Sequence, residues 1–244
     1  MSDKRTPSGS SSYQPRPTSS RTTYVLVGAA IVIVAALVIG GVVWNSQRDK
    51  GSADEAVLSE NAALIIGAPS APQTIDVFED FMCPVCQTFE QQSGTSITRA
   101  INEGTLRVRY HMLTFLDKQS SSGDYSSRAA GAAQCVGESE NKDVFLKFHS
   151  ALFTEQPKEG GDTDLSNADL ARIAGQQGAS AATQKCISDG ARVTQAQEAA
   201  KQSQVQLDKA AGQVATPSVL SGGEPVDAIM DGTAWLDQLL AQQG

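Results

Sequence analysis

The most regular feature of the hydrophobic pattern is an uncharged apolar stretch near the N-terminus. Residues 24–44 form a run without a charged side chain, rich in Val, Ile, Ala and Leu. At roughly 1.5 Å per residue, a helix of this length spans about 31 Å, close to the ~30 Å hydrocarbon core of a bilayer. Tyr24 and Trp44 stand at its ends, where interfacial aromatic residues belong. The pattern predicts a single transmembrane helix over residues 24–44.

The residues around this stretch indicate its orientation. Residues 1–23 are rich in Ser, Thr, Pro and basic residues, which predicts a disordered tail. Basic residues precede the apolar stretch and the charges just after it are balanced, so we expect a cytoplasmic N-terminus and an extracytoplasmic segment over residues 45–244. A cleaved signal peptide is the alternative, but its apolar region is shorter and ends in small residues. Because this stretch is longer and ends at Trp44, a retained signal-anchor is favoured.

Shorter apolar segments follow a polar linker over residues 45–61. Residues 62–66 and 74–78 are apolar runs bounded by turn residues, which predicts two strands. Residues 87–102 have helical spacing, and apolar and polar side chains alternate over residues 105–113, which predicts a strand with one buried face. The order strand, strand, helix, strand indicates an α/β fold with a central sheet.

The middle of the chain changes to helical spacing. Ser166 and Asp169 form the pattern of a capping box, which predicts the start of a short helix. Other helices are predicted over residues 125–137, 143–154, 179–188, 191–207 and 232–242, and strands over residues 216–221 and 225–229. This order predicts one domain over residues 62–243, interrupted by a helical insertion at about residues 120–190.

The charge is unevenly distributed. Residues 1–50 carry six Lys and Arg and two Asp and Glu, whereas residues 51–244 carry 13 and 25, which together give the net charge of −8. A strongly acidic body argues against nucleic acid as a partner.

Candidate chemistry lies in the run Cys83-Pro84-Val85-Cys86, between a predicted strand and a predicted helix. The thiolate is the form that attacks a disulfide, and a helix N-terminus lowers a thiol pKa through its unpaired N–H groups and its dipole. Pro84 suits the first helical position. We expect Cys83 to be the exposed, attacking cysteine at the helix cap and Cys86, one turn later, to be the buried, resolving cysteine.

The motif has two other interpretations, a zinc site and an inert structural disulfide. A zinc site would need two more ligands from Cys135, Cys186, His111 and His149, which contain no second close pair. An inert structural disulfide is the other alternative. Four cysteines allow three connectivities, but the spacing makes Cys83–Cys86 nearly obligatory, which leaves Cys135 and Cys186.

Three motifs resemble the thioredoxin superfamily and, within it, membrane-anchored DsbA-type thiol–disulfide oxidoreductases of actinobacteria. They are Ala71–Asp80, Cys83–Cys86 and Val214–Val219. The resemblance implies a thioredoxin fold, a cis peptide bond before Pro217 beside the dithiol, and a substrate contact at Thr216. It also implies a structural disulfide between Cys135 and Cys186, although free thiols or a second redox pair are alternatives.

The sequence departs from the family pattern at three positions. Ala215 stands where many relatives have Gly, and its methyl group is expected to narrow access to the site. Val77 stands where several relatives have a buried carboxylate that assists proton transfer, and Asp76, Glu79 and Asp80 are nearby. We expect at least two of these three to be solvated or to cap a turn. Val85 stands where strongly oxidising relatives often have a thiolate-stabilising His, so a weaker oxidant is expected.

His111 and His149 are expected to be structural or solvated. The resemblance implies an enzyme that donates disulfides to exported proteins without a cofactor or metal, and that a DsbB- or VKOR-type membrane partner reoxidises. The main alternative is a reductase or isomerase with the same fold, and a metal-delivery or other binding module is a more distant one.

Overall fold

The structure is a computed structural model that describes residues 52–62 and 64–241. The predicted tail (residues 1–23), the predicted anchor (residues 24–44) and the first part of the predicted linker lie outside these residues. Within the described ranges, no helix is both long enough and apolar enough to cross a membrane.

A five-stranded sheet lies at the centre of the domain. Its strands are β1 (Leu64–Ile66), β2 (Gln73–Glu79), β3 (Leu106–Met112), β4 (Ser218–Ser221) and β5 (Glu224–Pro225). The spatial order is β1-β3-β2-β4-β5, with β2 and β3 parallel and the other neighbours antiparallel. The strand predicted over residues 225–229 is much shorter than expected, because the chain leaves the sheet after Val226 donates to the Val219 carbonyl at 2.9 Å.

Parallel neighbours need a crossover connection, and the helical residues after β2 provide it. This crossover consists of α2 (Pro84–Phe89), a π-helical turn (Glu90–Gly94) and α3 (Thr95–Glu103). The sequence predicted one regular helix over residues 87–102 and did not indicate the π-helical turn. Helix α3 ends at Gly104, whose φ of 75° is a left-handed conformation that glycine adopts without steric cost.

A block of helices separates β3 from the last strands, as predicted. Helix α4 is its central element, and its residues from Tyr125 to Val136 are buried except for Arg128. The predicted capping box at Ser166 is present. A disulfide joins Cys135 on α4 to Cys186 on α7. The helices after β3 are α4 (Tyr125–Ser139), α5 (Lys142–Thr154), α6 (Asn167–Gln176), α7 (Ala181–Ser188), α8 (Val193–Ala211) and α9 (Ala234–Ala241).

Both faces of the sheet are covered, so the prediction of one buried face for β3 was wrong. Arg109 and His111 are 4% and 0% exposed, although they occupy the polar positions of the alternating pattern. Arg109 Nε donates to Asp76 Oδ1 at 2.7 Å, and His111 Nε2 lies 2.8 Å from the same oxygen. His111 Nδ1 lies 2.9 Å from the hydroxyl of Ser203 on α8. These partners let charged and polar side chains be buried beneath α8.

The second half of the predicted linker is also part of the packed domain. It forms α1 (Glu55–Asn61), whose Asp54 N-cap accepts from two backbone N–H groups. Leu58 is fully buried against Phe78 and Leu207 in a second, smaller core cluster. Arg109 also forms an ion pair with Glu55 at 2.7 Å. Residues 54–61 therefore pack on the sheet.

Candidate active site

The two cysteines of the Cys-x-x-Cys motif lie at the start of α2, directly after the loop that follows β2. Cys83 is the N-cap residue, with an extended backbone conformation, and Pro84 occupies the first turn. Cys83 makes no side-chain capping bond. Its sulfur is instead approached by the backbone N–H groups of Val85 and Cys86, both of which lower its pKa. The helix start therefore presents donors to a thiolate, as the sequence predicted.

Asp80 holds the loop in front of this helix. Its carboxylate accepts from Met82 N at 2.9 Å, from Leu116 N at 3.1 Å and from the hydroxyl of Ser126 at 2.6 Å. Burial raises the pKa of Asp80 to about 7, although these three hydrogen bonds lower it. Asp80 thus connects the dithiol loop to the segment after β3 and to α4.

Cys83 is less accessible than expected, since only 6% of the residue is exposed. Its pKa is nevertheless lowered from the ordinary value of 9.0 to about 6. A hydrogen bond from the Cys86 thiol contributes most, burial opposes it, and Thr216 and the N–H groups of the helix start add to the lowering. Most of Cys83 is therefore thiolate at neutral pH.

Cys86 has the opposite character. It is 0% exposed, and burial raises its pKa strongly. The hydrogen bond to Cys83 and the negative charge of Glu79 raise the pKa further. Both cysteines are free thiols in this structure, so it represents the reduced state, with one activated sulfur and one that holds its proton.

The loop before β4 lies against the activated sulfur. The peptide bond between Thr216 and Pro217 is cis. Cys83 Sγ lies 3.5 Å from the Thr216 carbonyl oxygen, to which a neutral thiol donates. The Thr216 hydroxyl is buried without another hydrogen-bond partner, so it is available to donate to the thiolate form.

Gln156, which follows α5, is a site residue that the sequence did not indicate. Its side-chain amide donates to the carbonyl oxygens of Phe81 and Cys83 at 2.9 and 3.0 Å. The helical insertion thus holds the backbone on both sides of Met82. A lone Gln in a loop carries no local signal for this contact, which joins residues more than 70 positions apart.

The expectation that at least two of the nearby carboxylates are solvated or cap a turn was wrong, because Asp76, Glu79 and Asp80 are all 0% exposed. Asp80 does bond the turn, but Asp76 pairs with Arg109 and His111 on the other face of the sheet. Of the three carboxylates, Glu79 is the one whose charge raises the pKa of Cys86.

Glu79 is paired with a histidine of the insertion. Glu79 Oε2 lies 2.9 Å from Nε2 of His149 on α5, which is 2% exposed. Burial lowers the pKa of His149, but the charge and hydrogen bond of Glu79 and the charge of Glu90 together raise it above its ordinary value. His149 was expected to be structural or solvated; it is buried, and the sequence did not indicate its contact with Glu79.

The zinc alternative loses its further ligands in this structure. Cys135 and Cys186 are joined to each other, and His111 and His149 are engaged with Asp76 and Glu79. No cluster of three or more metal-ligating side chains occurs in the part of the chain that the structure describes.

Comparisons with known proteins place this chain in a family. A family model described as thioredoxin matches residues 59–239. The chain is 36% identical over 184 residues to the serine/threonine-protein kinase PknE of Mycobacterium tuberculosis, in an alignment that covers 74% of this chain and 32% of the kinase. The chain therefore spans about a third of the length of this relative.

Two solved structures are similar over most of the described domain. One is the MdbA protein, a thiol-disulfide oxidoreductase from Corynebacterium diphtheriae, with a TM-score of 0.65, 25% identity, and coverage of 77% of this chain and 92% of MdbA. The other is reduced DsbA from Mycobacterium tuberculosis, with a TM-score of 0.55, 28% identity, and coverage of 75% and 96%. These similarities and the family match confirm the predicted thioredoxin fold with a helical insertion.

Proposed function

We propose that this chain, which belongs to the thioredoxin family, is a protein thiol–disulfide oxidoreductase that donates disulfides to exported proteins. The observation that carries this proposal is the unequal environment of its two free sulfurs. The pKa of Cys83 is lowered to about 6, whereas burial raises that of Cys86. A stable thiolate at Cys83 favours the reduced enzyme, and this makes the oxidised enzyme a better oxidant.

The proposed reaction begins with the oxidised Cys83–Cys86 bond. A substrate thiolate attacks Cys83 Sγ, a bond forms between the two sulfurs, and Cys86 leaves with the electron pair and takes up a proton. The second substrate thiol, once deprotonated, attacks its own sulfur in this mixed disulfide and displaces the Cys83 thiolate. The substrate loses two electrons, and the enzyme dithiol gains them.

We assign supporting roles to the residues around the dithiol. Pro84 and Val85 form the helix start, and Thr216 and Pro217 form the wall beside Cys83. Because proline has no N–H, the backbone before β4 can pair with an extended substrate segment. Val85, at the helix start, is 49% exposed, and Val214, two residues before Thr216, is 38% exposed, so both offer apolar surface to a substrate. Cys135–Cys186 is assigned a structural role, since Cys135 is 1% exposed.

Glu79 is the carboxylate that we assign to proton exchange with Cys86. Its charge raises the Cys86 pKa, so the two groups interact, and Oε1 of Glu79 is buried without a hydrogen-bond partner. A buried leaving thiolate needs a proton donor, because an uncompensated buried charge is costly. Glu79 is therefore the group that replaces the carboxylate missing at Val77.

The proposed location rests on the sequence. Residues 1–23 are assigned to a cytoplasmic tail, 24–44 to a single transmembrane anchor, 45–61 to the connection, and 62–243 to the extracytoplasmic domain. A disulfide between Cys135 and Cys186 suits an oxidising compartment. An anchor would raise the local concentration of a DsbB- or VKOR-type membrane partner that reoxidises the dithiol.

A reductase or isomerase with the same fold is the competing function. Val85 cannot stabilise the thiolate as a His would, which argues for a less oxidising dithiol than in strongly oxidising relatives. Equilibration of the full-length protein with glutathione distinguishes the two functions, with a reduction potential of about −120 mV for an oxidant and about −270 mV for a reductant.

The proposed roles are tested by trapping. In cells, Cys86→Ser should accumulate mixed disulfides between Cys83 and exported proteins, because the resolving sulfur is missing, and these adducts should disappear on reduction. Cys83→Ser is the matched control and should trap nothing. Adducts that form equally with both variants, or with neither, would contradict the assigned roles.

A further inference from the structure

A buried chain of ionisable side chains leads away from the dithiol towards a surface groove. Glu79 at the end of β2, His149 on α5 and Glu90 at the start of the π-helical turn belong to three different elements. His149 Nε2 lies 2.9 Å from Glu79 Oε2, and its Nδ1 lies 3.8 Å from Glu90 Oε2. The side chains of Glu79 and His149 are 1% and 3% exposed, whereas that of Glu90 is 14% exposed.

The groove at the outer end of this chain lies between the crossover helices and α5. It has a volume of about 560 Å³, and Glu90 lines it together with Ser150 and Lys147. Burial raises the pKa of Glu90, and a hydrogen bond with Ser150 and the charge of His149 partly offset this. The Glu90 side chain thus lines the groove, and its Oε2 atom also lies near His149 Nδ1.

The local backbone is built to hold the Glu90 carboxylate in this position. The π-helical turn covers Glu90–Gly94, and such turns often occur at functional sites. A Cβ atom placed on Gly94 would lie 2.5 Å from the carboxylate of Glu90. Glycine at this position therefore leaves the space that the carboxylate occupies.

The surroundings of His149 favour exchange along this line. Four aromatic rings surround the imidazole, those of Phe81, Tyr110, Phe145 and Phe153. Its two nitrogens face the two carboxylates. The gap of 3.8 Å to Glu90 exceeds a hydrogen bond, and a bridging water or a small rotation of the carboxylate closes such a gap.

We propose that Glu79, His149 and Glu90 form a proton relay that connects Cys86 to solvent in the groove, away from the substrate-facing side of Cys83. This inference rests on the proposed dithiol chemistry. When Cys86 resolves a mixed disulfide on Cys83, its proton passes to Glu79 and an equivalent proton leaves through His149 and Glu90. The Cys86 sulfur then bonds to Cys83, and the displaced thiolate leaves with the electron pair. In the opposite direction, the leaving Cys86 thiolate receives its proton by the same route.

A two-step reaction separates this relay from the dithiol chemistry itself. The reduced full-length protein reacts with dithiobis(nitrobenzoate), an aromatic disulfide that releases a coloured thiolate at each step. The first release reports the attack of Cys83, and the second reports the attack of Cys86 on the mixed disulfide. A protein without a first release would contradict the proposed function, whereas the relay concerns only the second release.

Glu90→Gln removes the outer proton carrier but keeps the size of the side chain. We expect it to slow the second release by about 10- to 100-fold near neutral pH, at or below the lower end of the roughly 10²- to 10⁴-fold effects of general acid–base catalysis, and to leave the first release unchanged. Gly94→Ala should slow the second step in the same way, because the new methyl group displaces the Glu90 carboxylate while the residue keeps its helical conformation. Asp143→Asn is the matched control, since this residue lines the same groove and its side chain is 66% exposed.

The pH profile distinguishes a relay from a structural role. The titratable groups that face His149 are Glu79, Glu90 and Tyr110, and Cys86 is coupled to the cluster through Glu79. In the wild type, the second rate should level off near neutral pH, whereas in Glu90→Gln it should rise about tenfold per pH unit because hydroxide must replace the relay. An unchanged second rate and profile in Glu90→Gln would overturn the relay. So would equal slowing in Asp143→Asn.

His149→Gln provides a further test through non-additivity. If the residues act in series, the double variant Glu90→Gln/His149→Gln should be no slower in the second step than His149→Gln alone. Additive slowing would contradict a single route. If His149→Gln does not fold, as judged by its far-ultraviolet circular dichroism, Glu90→Gln and Gly94→Ala decide the matter.

Discussion

Replacing Cys86 with alanine should raise the pKa of Cys83 from about 6 towards its ordinary value of 9.0, because the hydrogen bond from the Cys86 thiol is the largest contribution to the lowering. Cys86→Ser keeps a donor at the same position and should raise the pKa less. Thr216→Val removes a smaller contribution and should also have a smaller effect. We therefore predict that Cys86→Ala raises the Cys83 pKa more than either Cys86→Ser or Thr216→Val does.

The size of the effect follows from the two pKa values. With a pKa of about 6, roughly nine in ten Cys83 side chains are thiolate at pH 7, compared with about one in a hundred at a pKa of 9.0. A thiolate of lower pKa is also a weaker nucleophile, by about 20-fold over this range. The net gain in alkylation rate at pH 7 is therefore only about fourfold, so the pH profile is more informative than one rate.

The same shift contributes to the stability of the reduced protein. Since the folded pKa is lowered, the contribution is fully present above pH 9 and is lost as the pH falls through 6. At pH 7 it is about 1.4 kcal/mol at most, and solvent screening reduces it. This corresponds to at most about 30 mV in the reduction potential, in the oxidising direction.

The assay is the rate of alkylation of Cys83 by iodoacetamide between pH 4 and 10, with thiolate absorbance as a second measurement. Alkylation of the wild type should follow a single ionisation near pH 6, and that of Cys86→Ala an ionisation closer to 9. A wild-type midpoint near 9 would refute the reasoning. So would an unchanged midpoint in Cys86→Ala, because the stabilising donors would then be the backbone groups of the helix start alone.

Two predictions concern stability and are checked by urea unfolding. The double variant Cys135→Ala/Cys186→Ala opens a loop with a sequence separation of 51 and should lower the free energy of unfolding by about 4 kcal/mol. The first thiolate release at Cys83 should not change. Loss of that release in a folded variant would contradict the structural role of the disulfide. Arg109→Met leaves the fully buried Asp76 without its cation and should cost about 3–5 kcal/mol, whereas Glu55→Gln should cost less than about 1 kcal/mol because Glu55 is half exposed. An equal loss of unfolding free energy in these two variants would show that the buried Arg109–Asp76 pair stabilises the protein no more than the Arg109–Glu55 pair.

Local patterns were sufficient for most of the fold. The apolar runs predicted β2 and the alternation predicted the existence of β3, because these patterns depend on near neighbours in the chain. They failed for Arg109 and His111, whose polarity indicated solvent. These side chains are buried because Asp76 lies 33 and 35 positions away in sequence on the neighbouring strand, and Ser203 lies 92 positions from His111 on α8. A pattern read along one strand contains no information about partners on other elements.

In the candidate site too, local sequence patterns predicted some residues and could not predict those that depend on distant contacts. The dithiol and the Thr216-Pro217 loop carry short motifs, so their positions could be predicted residue by residue. Gln156, His149 and Glu90 carry no motif, and they reach the site only because the insertion and the π-helical turn place them there. Gly94 is informative only once the position of the Glu90 carboxylate is known.

The position of Glu79 explains how the site can lack a carboxylate at Val77. Side chains alternate along a strand, so residues 77 and 79 face the same side of the sheet. On this side, Val77 packs in the core cluster that contains Cys86, whereas Phe78 belongs to the smaller cluster on the opposite side. A carboxylate moved by two positions along β2 therefore stays on the dithiol side and shifts towards the end of the strand from which the Cys83 loop begins. At this position, Glu79 contacts His149 of the insertion. Residue 77 lies two positions farther back along β2. We therefore propose that Glu79, paired with His149 of α5, serves the role that a carboxylate at residue 77 would otherwise have.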